Sequence, residues 1–254
     1  MTQAQVQVPP RPSLWREILE IAATLAIALI VSVLLRIVLF QPFTIPSSSM
    51  EPGLVTGDYI VVSQFSYGWS AASLPLNTHM SKGRLFGHGP ARGDVVVFRR
   101  PHDPGQVWIK RVIGLPGDAI QVRQGVVHVN GRPIPPTPLR LTYDKDAPQQ
   151  RVLETRETLP DGRTYLTYDG GAGLPGDDTP VYRVPQGQYF MMGDNRDNSL
   201  DSRWPADLGV GFLPAGNIVG RAEWVLASWN PGASLFKPWT WLNLRPDRFL
   251  VRIR

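Results

Sequence analysis

The sequence contains no cysteine among its 254 residues. That absence excludes disulfide bonds, thiol catalysis and thiolate metal sites. Histidine is scarce too, with four residues, and none stands in a recognisable catalytic motif. His79, His88 and His102 fall in or beside loop-like stretches, and His128 falls in a predicted hairpin. A catalytic serine–histidine pair is therefore disfavoured, although it is not excluded.

Dense blocks of basic side chains are also missing, although the formal net charge is +5. Proteins that bind nucleic acid concentrate Lys and Arg in patches or along a helix. We therefore expect no nucleic-acid partner. A basic balance of this kind suits contact with an anionic membrane surface.

One long apolar run is present near the start, at residues 18–40, ILEIAATLAIALIVSVLLRIVLF. Its uncharged part is short for a span, but the residues after Arg36 extend it to the roughly 20 that a bilayer requires. Arg36 lies near the outer end, where its long stem can reach the headgroups. Bulky residues follow the run where a cleaved signal peptide would need small ones. The run predicts a retained anchor that crosses the membrane once.

Positive charges before this run indicate its orientation. Arg11 and Arg16 precede the span, beside Glu17 and Glu20. Because positive charges favour the cytoplasmic side, the N-terminus is expected in the cytoplasm and the rest of the chain outside.

The remainder of the sequence has the pattern of β-structure. Short apolar runs bounded by glycine recur at 59–62, 95–98, 107–113 and 189–192. Residues 118–133, DAIQVRQGVVHVNGRP, predict tight turns at Gln124-Gly125 and Asn130-Gly131. Two regions lack strong strand patterning: 66–92, interpreted as a surface loop, and 135–185, where only one strand pair around 164–168 is predicted.

Residues 45–54, IPSSSMEPGL, place three serines directly after the anchor. Alone, this segment fits a serine-rich juncture as well as it fits a nucleophile. A nucleophilic serine needs a base, and a lysine can serve if burial among apolar groups lowers its pKa. Lys110 lies in such a context, VWIKRVI, whereas Lys82 and Lys145 lie in polar stretches. By pattern alone, an outward-facing strand lysine remains the more ordinary interpretation of Lys110.

Residues 193–203, GDNRDNSLDSR, combine three aspartates with two arginines. The spacing does not fit an EF-hand calcium loop, and the arginines would repel a cation. A network of ion pairs and hydrogen bonds that holds a nearby catalytic group is the better interpretation.

Together these segments resemble type I signal (leader) peptidases. The motifs occur in order: the anchor, IPSSSMEPGL, RGDVVVF at 92–98, IKRVIGLPGD at 109–118, and GDNRDNSLDSR. Five ordered matches are far more specific than any single one. The chain departs from the pattern in having one span where some relatives have two, in the loop at 66–92, and in Trp108, where tyrosine is common.

The resemblance implies a role for each matched residue. Ser49 would be the nucleophile and Lys110 the general base. Ser47 would donate its hydroxyl to an oxyanion hole beside the Ser49 backbone N–H, and Ser199 would hydrogen-bond and orient the lysine amine.

Two further sets of residues follow from the resemblance. The first is a structural network of ion pairs: Arg111, Asp194, Arg196, Asp201 and Arg203. The second is an apolar substrate wall: Phe43, Ile45, Pro46, Leu54, Ile60, Trp108 and Ile109. No metal or cofactor is expected.

The expected fold is mainly β, with an N-terminal transmembrane helix followed by a β-rich catalytic domain that contains an inserted β subdomain. The expected divisions are a cytoplasmic tail at 1–16, the anchor at 17–40, a catalytic core at 41–115 and 186–254, and the insertion at 116–185.

By the resemblance, the chain would cleave signal peptides from secreted preproteins after small-x-small sites. It would be a monomer in the bacterial inner membrane, in contact with the lipid bilayer, with its catalytic domain on the periplasmic side. Two alternatives stay open: another serine/lysine peptidase, such as a self-cleaving repressor or a conjugation-system processing protease, and an inactive membrane-tethered β-domain. The anchor argues against a repressor, and intact Ser49 and Lys110 argue against an inactive domain.

We predict that Ser49→Ala and Lys110→Ala each abolish preprotein cleavage while the protein stays folded. The serine cannot attack unless a base takes its proton, and the lysine has no nucleophile to activate without the serine. Alanine at each of the four histidines serves as the control and should leave cleavage intact. Substantial cleavage by either dyad variant, measured on a preprotein in detergent, would contradict the assignment.

Overall fold

The computed structural model describes residues 13–70, 72–73, 86–144, 147–230, 232–233 and 237–254, without the side chains of 34–38. Within these ranges one α-helix precedes fifteen β-strands. Most of the predicted tail at 1–16, much of the loop at 66–92, and the side chains of Arg36, His79, Lys82 and Lys145 lie outside the described residues.

The helix α1 spans Leu14–Val38. The strands are β1 Phe40–Thr44, β2 Asp58–Ser63, β3 Val95–Arg99, β4 Val107–Gly114, β5 Ala119–Arg123, β6 Val126–Val129, β7 Arg132–Ile134, β8 Thr137–Tyr143, β9 Arg151–Thr158, β10 Thr164–Asp169, β11 Tyr182–Arg183, β12 Gln188–Met192, β13 Phe212–Pro214, β14 Ile218–Ser228 and β15 Val251–Arg252. Short 3₁₀ turns occur at Ser48–Met50, Phe65–Tyr67, Ala215–Asn217, Pro238–Thr240 and Pro246–Arg248.

The helix α1 occupies the region predicted as an anchor. Its apolar side chains do not pack into the strands: Ile21, Leu25 and Leu29 are 61–66% exposed. Among the described residues, no helix has both the length and the apolar character needed to cross a membrane.

Eight antiparallel strands form the main sheet, in the order β1–β2–β14–β3–β4–β12–β13 with β15 added to β14. Both faces of its centre are buried. Val95 and Val97 of β3 pack into one apolar cluster, while Val96 and Phe98 pack into another. This two-sided burial explains why the predicted strand at 95–98 is apolar without alternation.

Two smaller sheets form within residues 119–183. One has the order β11–β5–β6–β7 and the other β10–β9–β8. The mainly β expectation is thereby confirmed, whereas the division into a core and an inserted subdomain stays a prediction.

The predicted tight turns are confirmed. Gln124 and Gly125 join β5 to β6 with φ of 48° and 77°, and Asn130 and Gly131 join β6 to β7 with φ of 52° and 77°. Two successive positive φ values match the right-handed twist of the flanking strands, and Asn and Gly adopt them most readily.

One region holds more strands than the sequence predicts. Residues 135–185 contain β8, β9, β10 and β11, where a single strand pair was expected. Among the strands that the structure describes, β8 pairs only with β9, and six of its seven residues are exposed. An exposed edge strand lacks the apolar alternation on which sequence prediction depends.

We expect Gly114→Ala to lower the melting temperature by several degrees. A Cβ at this last residue of β4 would lie 2.8 Å from both Ile120 Cγ1 and Phe190 Cβ, so a packed core must shift. The matched control is Gly216→Ala, where a Cβ would meet nothing within 4 Å. Equal melting temperatures for the two variants in a detergent-solubilised thermal melt would show that the close approach at Gly114 does not exist.

Candidate active site

Ser49 lies in the 3₁₀ turn Ser48–Met50, which begins four residues beyond the end of β1. Two buried side chains, Met50 and Leu54, fix this turn from inside, and Leu54 N–H donates to Met50 O at 2.9 Å. On the other side, Asn195 N–H donates to the main-chain oxygen of Ser49 at 3.2 Å. The turn is therefore held by the core and by the loop 193–203 together.

Lys110 lies in β4, paired with Val96 of the neighbouring strand β3. Strand alternation turns Trp108, Lys110 and Val112 to one face and Ile109 to the other, where Ile109 packs on the core. Lys110 is 4% exposed, and its Nζ lies 2.7 Å from Ser49 Oγ. The fold therefore brings the two groups predicted to react into direct hydrogen-bond contact.

Burial lowers the pKa of Lys110 to about 8, because the ammonium form loses its hydration. The carboxylates of Asp201 and Asp194 oppose this shift, and the guanidinium of Arg203 adds to it. Among the described residues, Nζ forms a hydrogen bond only with Ser49 Oγ and touches no carboxylate. A lysine so placed is a usable base near neutral pH.

An open cleft of about 620 Å³ surrounds the pair. Pro46 and Ser47 line one side, and Trp108 and Ile109 of β4 lie beside them. Across the cleft are the residues 197–200 and Trp204. The hydroxyl and the amine thus meet in a groove that a peptide can enter.

Comparison with known proteins identifies the family. Residues 18–229 match the family model described as signal peptidase, peptidase S26. Signal peptidase I of Rickettsia prowazekii (strain Madrid E) is 40% identical over 208 residues, 79% of this chain and 76% of the relative. That of Rickettsia typhi (strain ATCC VR-144 / Wilmington) is 39% identical over 211 residues, 80% of this chain and 78% of the relative.

The chain belongs to the signal peptidase family, peptidase S26. It is a serine endopeptidase of type I, a hydrolase that cleaves signal peptides. A crystal structure of a signal peptidase I from Enterococcus faecalis V583 is also similar, at 28% identity and a TM-score of 0.31, covering 53% of this chain and 97% of that one.

The ion-pair residues of this signal peptidase form separate pairs. Arg111 binds Asp194 through two hydrogen bonds of 2.7 and 2.6 Å, and both side chains are buried. Arg203 likewise forms a bidentate pair with Asp201, with hydrogen bonds of 3.0 and 2.9 Å. Asp201 also accepts from Gly193 N–H at 3.0 Å, which fixes the start of the loop.

Two members of the network were missed by sequence reasoning. Arg196 pairs with Glu157 of β9, with Nη2 to Oε2 at 2.7 Å, rather than with an acid of its own motif. Asp144, which follows β8, accepts from Asn195 Nδ2 at 2.7 Å and from Asn198 Nδ2 at 3.1 Å. Both acids lie in polar stretches that carry no local motif, so only the tertiary contacts identify them.

The two predicted helper serines are both in the cleft, with different contacts. Ser47 Oγ lies 3.4 Å from Ser49 Oγ. Ser199 lines the cleft, but its buried Oγ forms no hydrogen bond within the described part of the chain. The expected bond from Ser199 to the Lys110 amine is therefore not formed. The hydroxyl instead lies against Gly193, where an added Cβ would be 2.2 Å from it.

The predicted substrate wall divides into two groups. Pro46, Trp108 and Ile109 line the cleft, whereas Leu54 and Ile60 are fully buried in the core. The same core cluster contains Ile45 and has Phe43 and Ile109 packed against it. These core residues lie behind the cleft wall, and the cluster contacts that wall through Ile109. Phe43 of β1 pairs with Ile60 of β2, and strand alternation turns both toward this core, which sequence alone does not reveal.

We predict that kcat/KM rises about tenfold per pH unit through neutral pH and levels off above about pH 8. The sign follows because the neutral amine is the active form, so protonation below its pKa removes the base. Lys110→Arg should be inactive at every pH, since a guanidinium keeps its proton. A profile that is flat down to about pH 5 would place the base on another group.

Proposed function

We propose that this chain cleaves preproteins with Ser49 as nucleophile and Lys110 as general base. The observation that carries the proposal is the 2.7 Å contact between Ser49 Oγ and the amine of a lysine that is 4% exposed. Burial supplies what lysine otherwise lacks, a neutral form near physiological pH.

The proposed reaction runs through two acyl-transfer steps. The neutral Nζ of Lys110 accepts the Oγ proton as Ser49 attacks the scissile carbonyl carbon. The resulting ammonium gives a proton to the leaving amine as the peptide C–N bond breaks, which leaves an ester on Ser49. A water molecule, deprotonated by Nζ, then attacks the ester, and the proton returns to Ser49 Oγ as the acid product leaves.

Charge on the tetrahedral intermediate requires hydrogen-bond donors on the carbonyl oxygen. We propose the Ser49 backbone N–H and the Ser47 hydroxyl for this role. In support, Ser47 Oγ is 3.4 Å from Ser49 Oγ, close enough for both to touch one carbonyl group. Ser199 lines the same cleft, and we propose that it orients the Lys110 amine during the reaction.

A partly unpaired strand edge offers a binding mode for the substrate. The strand β4 pairs with β3 throughout residues 107–111, but β12 pairs only with its far end, from Arg111 to Gly114. Among the described residues, the edge at 107–110 on the cleft side has no strand partner. An extended signal-peptide segment can add there as a strand, with its last residue at Ser49.

Small side chains should be required at the first and third positions before the cut. Alternate residues of an extended segment face the same side, so both positions would face Pro46 and Ile109 in the cleft wall. The buried Leu54 and Ile60 leave that wall little room to yield. We therefore propose small-x-small sites in secreted preproteins as the substrates.

A membrane location is proposed from the first helix and its surroundings. In the sequence, the apolar run that forms most of this helix continues to Phe40. Phe40, Phe65, Trp224 and Leu226 then form an exposed apolar surface of 40–45% exposure each, directly beyond the helix. We propose a single-pass anchor in the bacterial inner membrane with the strands on the periplasmic side. We also propose that the chain is a monomer. Its catalytic core would comprise residues 41–115 and 186–254, with an inserted subdomain at 116–185.

We expect the detergent-solubilised protein to cut a preprotein once, directly after its small-x-small site, as read from the new N-terminus. Replacing the small residue just before the cut with Phe should reduce cleavage by roughly a hundredfold, because the side chain meets the wall at Ile109.

The control substrate carries the same Phe at the second position before the cut, which faces away from the wall and should be tolerated. Efficient cleavage after Phe, or cleavage at unrelated bonds, would contradict the proposed specificity.

A further inference from the structure

The last ten residues, 245–254, contact Arg111, which follows Lys110 in β4, and the turn that follows Ser49, and we call them the C-terminal strap. We propose that the strap is a positioning segment that sets the distance between Ser49 and Lys110. The inference rests on the proposed function, since it assigns a role within that reaction.

The first contact is at Arg111, the residue that follows Lys110 in β4. Its Nη1 donates to the main-chain oxygens of Arg254 at 2.8 Å and of Gly93 at 2.7 Å. Its other donors bind Asp194, and its guanidinium lies 4.1 Å from the centre of the Tyr165 ring. Within the described part of the chain, three groups accept hydrogen bonds from this buried cation, and the strap supplies one of them.

The strap is fixed where it makes this contact. Val251 pairs with Val225 of β14, and Ile253 N–H donates to Glu223 O at 2.9 Å. Ile253 also packs on the cluster that contains Met50, beside the nucleophile. The main-chain oxygen of Arg254 is thus held at a set position by the sheet rather than by its own exposed side chain.

The second contact is at the turn that follows Ser49. Arg248 donates to both carboxylate oxygens of Asp58, at 2.9 and 2.5 Å, and to Gly53 O at 3.0 Å. Asp58 in turn accepts from Val55 N–H at 2.9 Å. Arg248 therefore ties the turn at 53–58 to the strap with charge-assisted hydrogen bonds.

Both contacts of the strap lie close to Asp194. A Cβ placed on Gly53 would be 3.2 Å from Asp194 Oδ2, the oxygen that binds Arg111. The strap thus holds the turn after Ser49 with one end and the cation after Lys110 with the other, and Asp194, the partner of that cation, lies next to the turn. Loss of either contact should let the pair separate and admit water to the amine.

The test is a variant that lacks Arg254, assayed with a preprotein across the pH range. Removal of the oxygen leaves an Nη1 donor of Arg111 unpaired in a buried site, and Arg111 shifts. We expect kcat to fall about tenfold with KM within about twofold, since the reacting groups and not substrate binding are disturbed. The acidic limb should move to higher pH, because a better hydrated ammonium is harder to deprotonate.

Two variants separate the main-chain contact from the loss of charge. Arg254→Ala keeps the main-chain oxygen and should lose no more activity than Arg252→Gln. Arg252 is exposed on the same strap, and its side chain forms no ion pair or hydrogen bond with the described residues. Arg248→Gln tests the other contact with the same charge change, and should lower kcat in the way that removal of Arg254 does.

Native kcat and pH profile in the variant without Arg254 would overturn the proposal. So would a loss of activity in Arg254→Ala as large as in that variant, or a fall in melting temperature with kcat unchanged. If removal of Arg254 prevents folding, Arg248→Gln decides, and native kcat there overturns the proposal. Cleavage by the native chain and its absence in Ser49→Ala test the proposed function separately.

Discussion

The removal of one lysine amine from water is the constraint on which the site depends. Lys110 can act on Ser49 only if its ammonium form is disfavoured, and burial in the sheet does this. The carboxylates of Asp201 and Asp194 oppose this lowering of the lysine pKa. Asp194 and Asp201 are paired with Arg111 and Arg203 in bidentate contacts. The guanidinium of Arg203 offsets part of the field that those carboxylates exert on the amine, and burial lowers the pKa of Lys110 in spite of that field.

Buried ion pairs are costly to desolvate, and they stabilise a fold only when their remaining hydrogen bonds are satisfied. This network meets that condition through the backbone. Asp201 accepts from Gly193 N–H, and Arg111 donates to Gly93 O. Removing one partner would therefore leave a buried charge, which is more damaging than never having had the pair.

The smaller sheet β8–β9–β10 takes part in the site through the loop 193–203. The backbone N–H of Tyr168 in β10 donates to Asp194 O, and its backbone oxygen accepts from Arg196 N–H, both at 2.9 Å. Glu157 of β9 holds the Arg196 side chain. The loop that contacts the Ser49 backbone is thus clamped between the main sheet and this one. The polar segment that forms these strands therefore helps to hold the loop 193–203 in place.

By itself, the sequence determined the chemical groups and the local turns: the order of motifs predicted Ser49 and Lys110, and Asn130-Gly131 predicted its hairpin, since a tight turn depends on adjacent residues. Tertiary structure decided the rest. It brought together two side chains 61 residues apart, gave Arg196 a partner in Glu157, left Ser199 without its expected bond, and turned Ile60 into the core. Burial and contact between distant segments depend on strand register and packing, which no local pattern of residues encodes.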